Sequence, residues 1–117
     1  MSIRYDIELK QSTTFNLPIK VETSPDEPVD FTGFSARSQV REKYDSAVII
    51  DFKDDFSTPY WIIWDDKPNG KLRLHITSAN TANLVPITAR YDLLATSNTV
   101  IKILEGQFRV LDTITEL

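Results

Sequence analysis

Cysteine is absent from this chain of 117 residues, which excludes disulfides and metal sites built on thiolates. No run approaches the ~18 consecutive apolar residues that a membrane-spanning helix needs. The first six residues, Met-Ser-Ile-Arg-Tyr-Asp, lack the apolar core of a secretory signal. We therefore expect a protein with no membrane partner that is made in the cytoplasm and not exported through a signal peptide.

Clustered positive charge is also absent. The chain carries 13 basic and 17 acidic residues, which are mixed along its length and give a net charge of −4. Proteins that bind nucleic acid neutralise phosphates with grouped Lys and Arg side chains. Nucleic acid is therefore not an expected partner.

The length and the apolar content indicate one folded domain spanning residues 1–117. A chain of this size fits a single domain, and 41% of its residues are hydrophobic. Folding should bury roughly two-thirds of the surface that the unfolded chain exposes. That is enough for one core.

Alternation of apolar and polar residues is the dominant pattern, and it predicts β-strands with one buried face. Residues 3–9 place Ile3, Tyr5, Ile7 and Leu9 on one face. Residues 15–21 repeat the pattern around Pro18, which cannot donate to a ladder and so indicates an edge or a bulge. Further strands are predicted at residues 34–40, 48–52, 60–64, 71–77, 88–95 and 100–111.

Turns and one short helix complete the prediction. Asn69-Gly70 favours a type I′ hairpin. Ser78 to Val85 is the helix candidate, with Ser78 as its cap and Pro86 after its end. Gly106, inside a strand, indicates a bulge or a close approach of another backbone segment.

These elements predict an all-β fold, an immunoglobulin-like antiparallel β-sandwich of seven to eight strands with one short helical turn. A small barrel is the alternative architecture. The expected core is formed by alternating residues of the last strands, namely Leu72, Leu74, Ile76, Tyr91, Leu93, Phe108 and Val110.

No constellation typical of catalysis or metal binding emerges. His75, the one histidine, falls on the polar face of its strand and is expected to be a solvated surface residue. Asp65 to Gly70 resembles the start of a calcium loop, but Lys67 and Ile76 occupy positions that need oxygen ligands. We therefore predict no metal, no cofactor and no enzymatic activity.

Three aspartates, Asp51, Asp54 and Asp55, could converge as the paired carboxylates of a sugar hydrolase. Three acids in a loop of an acidic protein are more often simply solvated, so catalysis there is not the favoured interpretation.

The strand at residues 60–64 is aromatic on both faces. Trp61 cannot share a face with Tyr60 and Trp64, so one set should be core and the other exposed or covered by a partner. Contact with protein is favoured over contact with carbohydrate. The candidate protein-interface residues are Ile3, Tyr5, Ile7, Trp61 and Trp64.

Four segments occur in an order that resembles a group of small bacteriophage virion proteins, and the resemblance covers roughly positions 10 to 115. An alternating strand leads into a short polar helical turn at residues 72–84, and Arg90-Tyr-Asp-Leu-Leu94 follows. A later strand carries Leu104-Glu-Gly106, and upstream lies the turn Asp30-Phe-Thr-Gly-Phe34. The pattern is similar to the N-terminal domain of phage upper baseplate proteins.

The resemblance implies a virion structural protein, positioned as a tail baseplate or tail-fibre adaptor. It implies partners among fibre, baseplate or capsid proteins and a homo-oligomer within the particle, and it carries no active-site motif. The alternatives are a head decoration or neck protein, a carbohydrate-binding module, and a host-encoded immunoglobulin-like adhesion or chaperone domain.

Overall fold

The computed structural model describes residues 3–24, 27–43 and 46–113. Strands make up more than half of these residues. The described residues form eleven strands: β1 (Ile3–Arg4), β2 (Ile7–Lys10), β3 (Phe15–Lys20), β4 (Glu22–Ser24), β5 (Glu27–Pro28), β6 (Ser35–Arg41), β7 (Val48–Lys53), β8 (Trp61–Asp66), β9 (Lys71–Ile76), β10 (Ile87–Thr96) and β11 (Val100–Leu111). One short helix, α1 (Ser78–Thr81), and a 3-10 turn at Lys67–Asn69 accompany them.

Nine of these strands form a single sheet in the order β1-β11-β10-β6-β7-β8-β9-β3, with β2 also paired to β11. β1 and β2 lie one after the other along the same edge of β11, so the nine strands fill eight positions. The sheet is mixed, because β1, β2 and the β7–β8 junction pair in parallel and the other neighbours are antiparallel. β4 and β5 form a separate two-stranded ribbon.

The large sheet is strongly curled into a half-barrel. Its two halves are joined by one residue pair, Lys53 of β7 with Trp61 of β8. Across the interior, the ring of Phe15 on β3 meets that of Phe108 on β11 edge to face, with centroids 6.2 Å apart. The curl thus brings the two ends of the sheet together around one core.

The prediction of a mainly-β fold is confirmed. The finer prediction, an immunoglobulin-like antiparallel sandwich, differs from this sheet in two respects: the strands belong to one hydrogen-bonded sheet, and three of its junctions are parallel. Alternation reports which face of a strand is buried, but it carries no information on which strand lies beside it or in which direction.

The predicted core is confirmed. All seven residues expected there are at most 5% exposed: Leu72, Leu74, Ile76, Tyr91, Leu93, Phe108 and Val110. Phe31 and Phe52 are fully buried with them. The ring of Phe52 lies 6.3 Å from that of Phe108, so aromatic side chains fill the middle of the curl.

The β8–β9 hairpin forms where it was predicted, but its turn is not type I′. The loop is the 3-10 turn Lys67–Asn69, and the left-handed residue is Gly70 alone, with φ of 70°. A type I′ turn needs positive φ at both central residues. A Cβ at Gly70 would lie 2.5 Å from the carbonyl oxygen of Val21 and 2.8 Å from that of Val29, so glycine is required there by space as well.

The helix is shorter than predicted. It ends at Thr81, and its cap is Thr77 and not Ser78, with no side-chain capping bond. The hydroxyl of Thr81 is buried and donates to the carbonyl of Thr13 at 2.7 Å. A helix of one turn is unstable by itself, and this contact holds it against the chain that connects β2 to β3.

Candidate functional site

The first predicted strand is divided into an exposed and a buried part. Ile3 and Tyr5 are 60% and 48% exposed, whereas Ile7 and Leu9 are 2% and 1% exposed. The ladder with β11 is interrupted at Asp6, whose Oδ1 accepts from the backbone N–H of Gln107 at 2.9 Å. Ile3 and Tyr5 therefore have exposed surface, whereas Ile7 is part of the core.

Two contacts fix the exposed part of this strand to β11. The N–H of Tyr5 donates to the carbonyl of Glu105 at 2.9 Å. A Cβ at Gly106 would overlap the carbonyl oxygen of Tyr5 and would lie 2.9 Å from Oδ1 of Asp6. The close backbone approach predicted at Gly106 is thus confirmed.

The Tyr91 hydroxyl supports the same carbonyl from inside the fold, donating to the oxygen of Tyr5 at 2.6 Å. Burial raises the pKa of Tyr91, and the nearby charge of Asp6 adds to the effect. The phenol therefore remains a hydrogen-bond donor throughout the ordinary pH range.

β1 is the terminal strand of the sheet. β11 pairs with one of its edges, and none of the described residues pairs with the other. The backbone groups on an unpaired edge form a template for another strand. The edge beside Ile3 and Tyr5 is therefore unpaired within the described part of the chain.

Trp61 lies on the outer face of β8, in an aromatic patch that we define as Phe56, Trp61 and His75. The Trp61 ring stacks on His75 with centroids 5.7 Å apart and planes 22° apart. Phe56 meets Trp61 edge to face at 5.6 Å and is itself 58% exposed. The indole N–H donates to the carbonyl of Thr58 at 2.9 Å, which fixes the orientation of the ring.

His75 is half-buried in this patch, so the prediction of a freely solvated histidine is wrong. Its Nδ1 is buried and has no hydrogen-bond partner among the described residues. Trp61 and His75 are direct cross-strand partners in the β8–β9 hairpin. Counting outward from a two-residue Asn69-Gly70 turn would have paired His75 with Trp64, so the sequence could not have revealed this pair. The register is set by the 3-10 turn and by the shift between Trp64 and Asp66.

Trp64 faces the interior. This agrees with the alternation, which places Trp61 and Trp64 on opposite faces of the strand. Its ring packs on Phe31 at 5.4 Å, and Lys67 Nζ lies 5.0 Å from its centroid. Its indole N–H donates to Oδ2 of Asp54 at 3.0 Å. Of the five predicted interface residues, Ile3, Tyr5 and Trp61 thus have an outward surface, while Ile7 and Trp64 pack inward.

The three aspartates near β7 hold local structure. Asp51 pairs with Arg37 at 2.8 Å, and the bonded guanidinium lowers the pKa of this carboxyl. Asp54 also accepts from the N–H of Ala36 at 2.8 Å, and Asp55 from that of Ser57 at 3.0 Å. Each carboxylate is therefore directed to a different partner.

The described residues contain neither a candidate metal site nor a candidate membrane-spanning helix. No group of three or more His, Asp or Glu side chains within them is placed to hold a metal ion. No helix in this part of the chain is long and apolar enough to cross a membrane.

Comparison with known proteins identifies no family for this chain. The chain matches no protein-family model, and no curated protein matches it significantly.

Proposed function

We propose that this chain is a bacteriophage structural protein, a tail baseplate or tail-fibre adaptor that docks other virion proteins. The order of its sequence motifs resembles that of small virion proteins. The single structural observation that supports the proposal is the outer edge of β1. No strand among the described residues pairs with this edge, and Ile3 and Tyr5 are exposed beside it.

Docking at this edge would use strand addition. A partner strand laid along β1 forms backbone hydrogen bonds, which provide affinity for an extended segment, while side chains on alternate positions provide specificity. Ile3 and Tyr5 would supply the apolar contacts that such an interface requires. Their position is fixed in advance, because Tyr5 is held by both Glu105 and Tyr91.

The finer classification of the fold belongs to the same proposal. We infer that the half-barrel is an immunoglobulin-like sandwich in which β2-β11-β10-β6-β7 and β8-β9-β3 act as two layers. Two features support this: the single residue pair between β7 and β8, and the contact of Phe15 with Phe108 across the interior.

The function is tested by complementation of a phage that lacks this gene. Ile3→Glu combined with Tyr5→Ser should prevent incorporation into particles, because a charge and a lost ring would oppose docking at the edge. Deleting the whole strand would be a poor test, since Ile7 and Leu9 are buried and their removal would destabilise the fold. Particle purification and immunoblotting measure incorporation.

The matched control is Val85→Glu, which changes an apolar side chain of similar exposure, 65%, outside the β1 edge. It should leave incorporation unchanged. If the β1 variant is soluble and folded yet incorporates normally, docking at this edge is wrong. Absence of the wild-type protein from purified particles would contradict the virion function itself.

A further inference from the structure

A groove of about 590 Å³ crosses the outer face of β1, β11, β10 and β6. Its lining includes five cations, Arg4, Arg41, Lys43, Arg90 and Lys102, and two carboxylates, Asp92 and Glu105. The groove thus carries a formal charge of +3. Since the whole chain carries −4, everything outside the groove carries −7.

Two arginines of this groove face each other. Arg41 on β6 and Arg90 on β10 are direct cross-strand partners, and like charges in such positions destabilise a sheet. Arg41 donates to neutral acceptors, the carbonyl of Ser46 and the amide oxygen of Gln39, each at 2.9 Å. The Arg90 guanidinium has no carboxylate partner among the described residues.

The remaining cations of the groove are only partly neutralised. Lys43 uses its backbone, and not its ammonium group, to bind Ser46. Arg4 lies 3.5 Å from Asp6 and Lys102 lies 3.9 Å from Glu105, which are exposed pairs of small energetic value. The corner formed by Arg41, Lys43 and Arg90 therefore attracts an anionic group from outside.

An acidic surface lies at the opposite end of β6. The N–H of Phe31 donates to the carbonyl of Lys67 at 2.9 Å, so the segments that contain Asp30 and Asp66 adjoin. The bond from Ala36 to Asp54 brings Asp55 to the start of the same strand. We call Asp30, Asp55 and Asp66 the acidic end; Lys53 and Lys67 lie close to it in sequence.

Both fully exposed carboxylates of the acidic end are ionised at neutral pH. Hydrogen bonds from Thr32 lower the pKa of Asp30, and those from Ser57 lower the pKa of Asp55. β6 has seven residues and so separates the acidic end from the cationic corner by roughly 20 Å.

We propose that the groove is the docking site for the acidic end of a second copy of this chain. The two surfaces are complementary in charge and lie at different ends of the molecule, so their contact is head-to-tail. A head-to-tail contact closes into a ring or extends into a filament, whereas a contact of one patch with itself gives only a dimer. The inference rests on the proposed function in one respect: a virion structural protein is expected to occur in several copies within a particle.

The test uses two variants of the full chain. Lys43→Glu with Arg90→Glu reverses the cationic corner but keeps Arg41, whose bonds hold the β6–β7 turn. Asp30→Asn with Asp55→Asn removes two of the three charges of the acidic end but keeps the oxygen that accepts from Thr32 and Ser57. Sedimentation velocity measures association at low and high salt.

The wild-type protein should associate with rising concentration at low salt and dissociate at high salt, because screening shortens from about 10 Å at 0.1 M to about 3 Å at 1 M. Each variant alone should show a dissociation constant about tenfold higher or more. An equal mixture of the two should form dimers and nothing larger, since each retains the one surface that the other lost.

Lys10→Glu with Lys20→Glu is the matched control, because it changes the net charge by the same amount outside the groove. Three outcomes would each overturn the inference: a wild-type monomer at low salt, equal weakening by the control, or a mixture that stays monomeric while circular dichroism shows both variants folded. None of these outcomes bears on incorporation into particles, which tests the proposed function separately.

Discussion

Tyr91 and Tyr5 are joined by a hydrogen bond that spans 86 positions of sequence, from a buried phenol to a backbone carbonyl of the edge strand. The bond connects the core directly to the exposed edge at which we propose docking. The backbone at Tyr5 is thus held in place from inside the fold before any partner binds to β1.

Tyr91→Phe should reduce the free energy of unfolding by about 1 kcal/mol, or up to about 3 kcal/mol if the Tyr5 carbonyl is left without a partner. The ring would still pack on Phe108, at a centroid distance of 6.1 Å. Urea denaturation measures the change. Hydrogen exchange should also show faster exchange at the N–H of Tyr5, and unchanged exchange there would contradict the anchoring role.

Stability should fall at alkaline pH because of the same residue. The folded-state pKa of Tyr91 is raised above its ordinary value of 10.0, so the unfolded chain loses this proton first. The contribution of the protonated Tyr91 phenol to the free energy of unfolding is fully present below about pH 10. It is lost as pH rises toward the folded-state pKa. Thermal unfolding across this range should show a decline that Tyr91→Phe makes shallower.

Leu74→Ala should cost roughly 2–5 kcal/mol, through lost transfer free energy and the cavity left behind. Leu74 is fully buried between β8 and β3. Val100→Ala is the control, since that side chain is 65% exposed and its loss should cost under about 0.5 kcal/mol. Equal effects of the two substitutions would contradict the strand register.

Gly106→Ala should loosen β1 from β11. The added methyl group would meet the Tyr5 carbonyl, a backbone atom that cannot move without breaking its bonds. Overpacking of this kind costs about 1–3 kcal/mol. Urea denaturation gives the energy, and increased cleavage before residue 7 by a protease would locate the change. Wild-type stability and protection would show that the approach is looser than described.

His75→Ala should cost about 0.5–1.5 kcal/mol, the usual value of an aromatic pair. The loss arises because His75 covers one side of Trp61. In a Trp64→Phe background the emission of Trp61 is observed alone, and it should shift to longer wavelength as water reaches the ring. The Trp64→Phe parent is the reference, and an unshifted spectrum would contradict the stacking.

The sequence predicted the core more completely than the edges. Leu74 and Phe108 could be assigned to the core because alternation of apolar and polar residues shows which face of a strand is buried. The same rule could not distinguish the buried Ile7 from the exposed Ile3, since the two are an even number of residues apart and are assigned to the same face. Between them, the carboxylate of Asp6 accepts from the N–H of Gln107, and the ladder is interrupted there.

The aromatic patch and the groove depend on strand order, which alternation does not encode. Trp61 was recognised as facing away from Trp64, but its contact with His75 requires the register of the β8–β9 hairpin. Arg41 and Arg90 are 49 positions apart and meet only because β6 lies beside β10. A chain without clustered basic residues in sequence can therefore still gather them in space.

The parallel pairing of β1 and β2 with β11 has a consequence for biosynthesis. Residues 3–10 pair with residues 104–111, about 100 positions later, so β1 and β2 are synthesised long before the strand with which they pair. Until then Ile7 and Leu9 have no sheet to cover them, and pairings this distant form slowly. The nascent chain is thus prone to aggregate until β11 has been synthesised, and chaperone dependence should be greatest before that point.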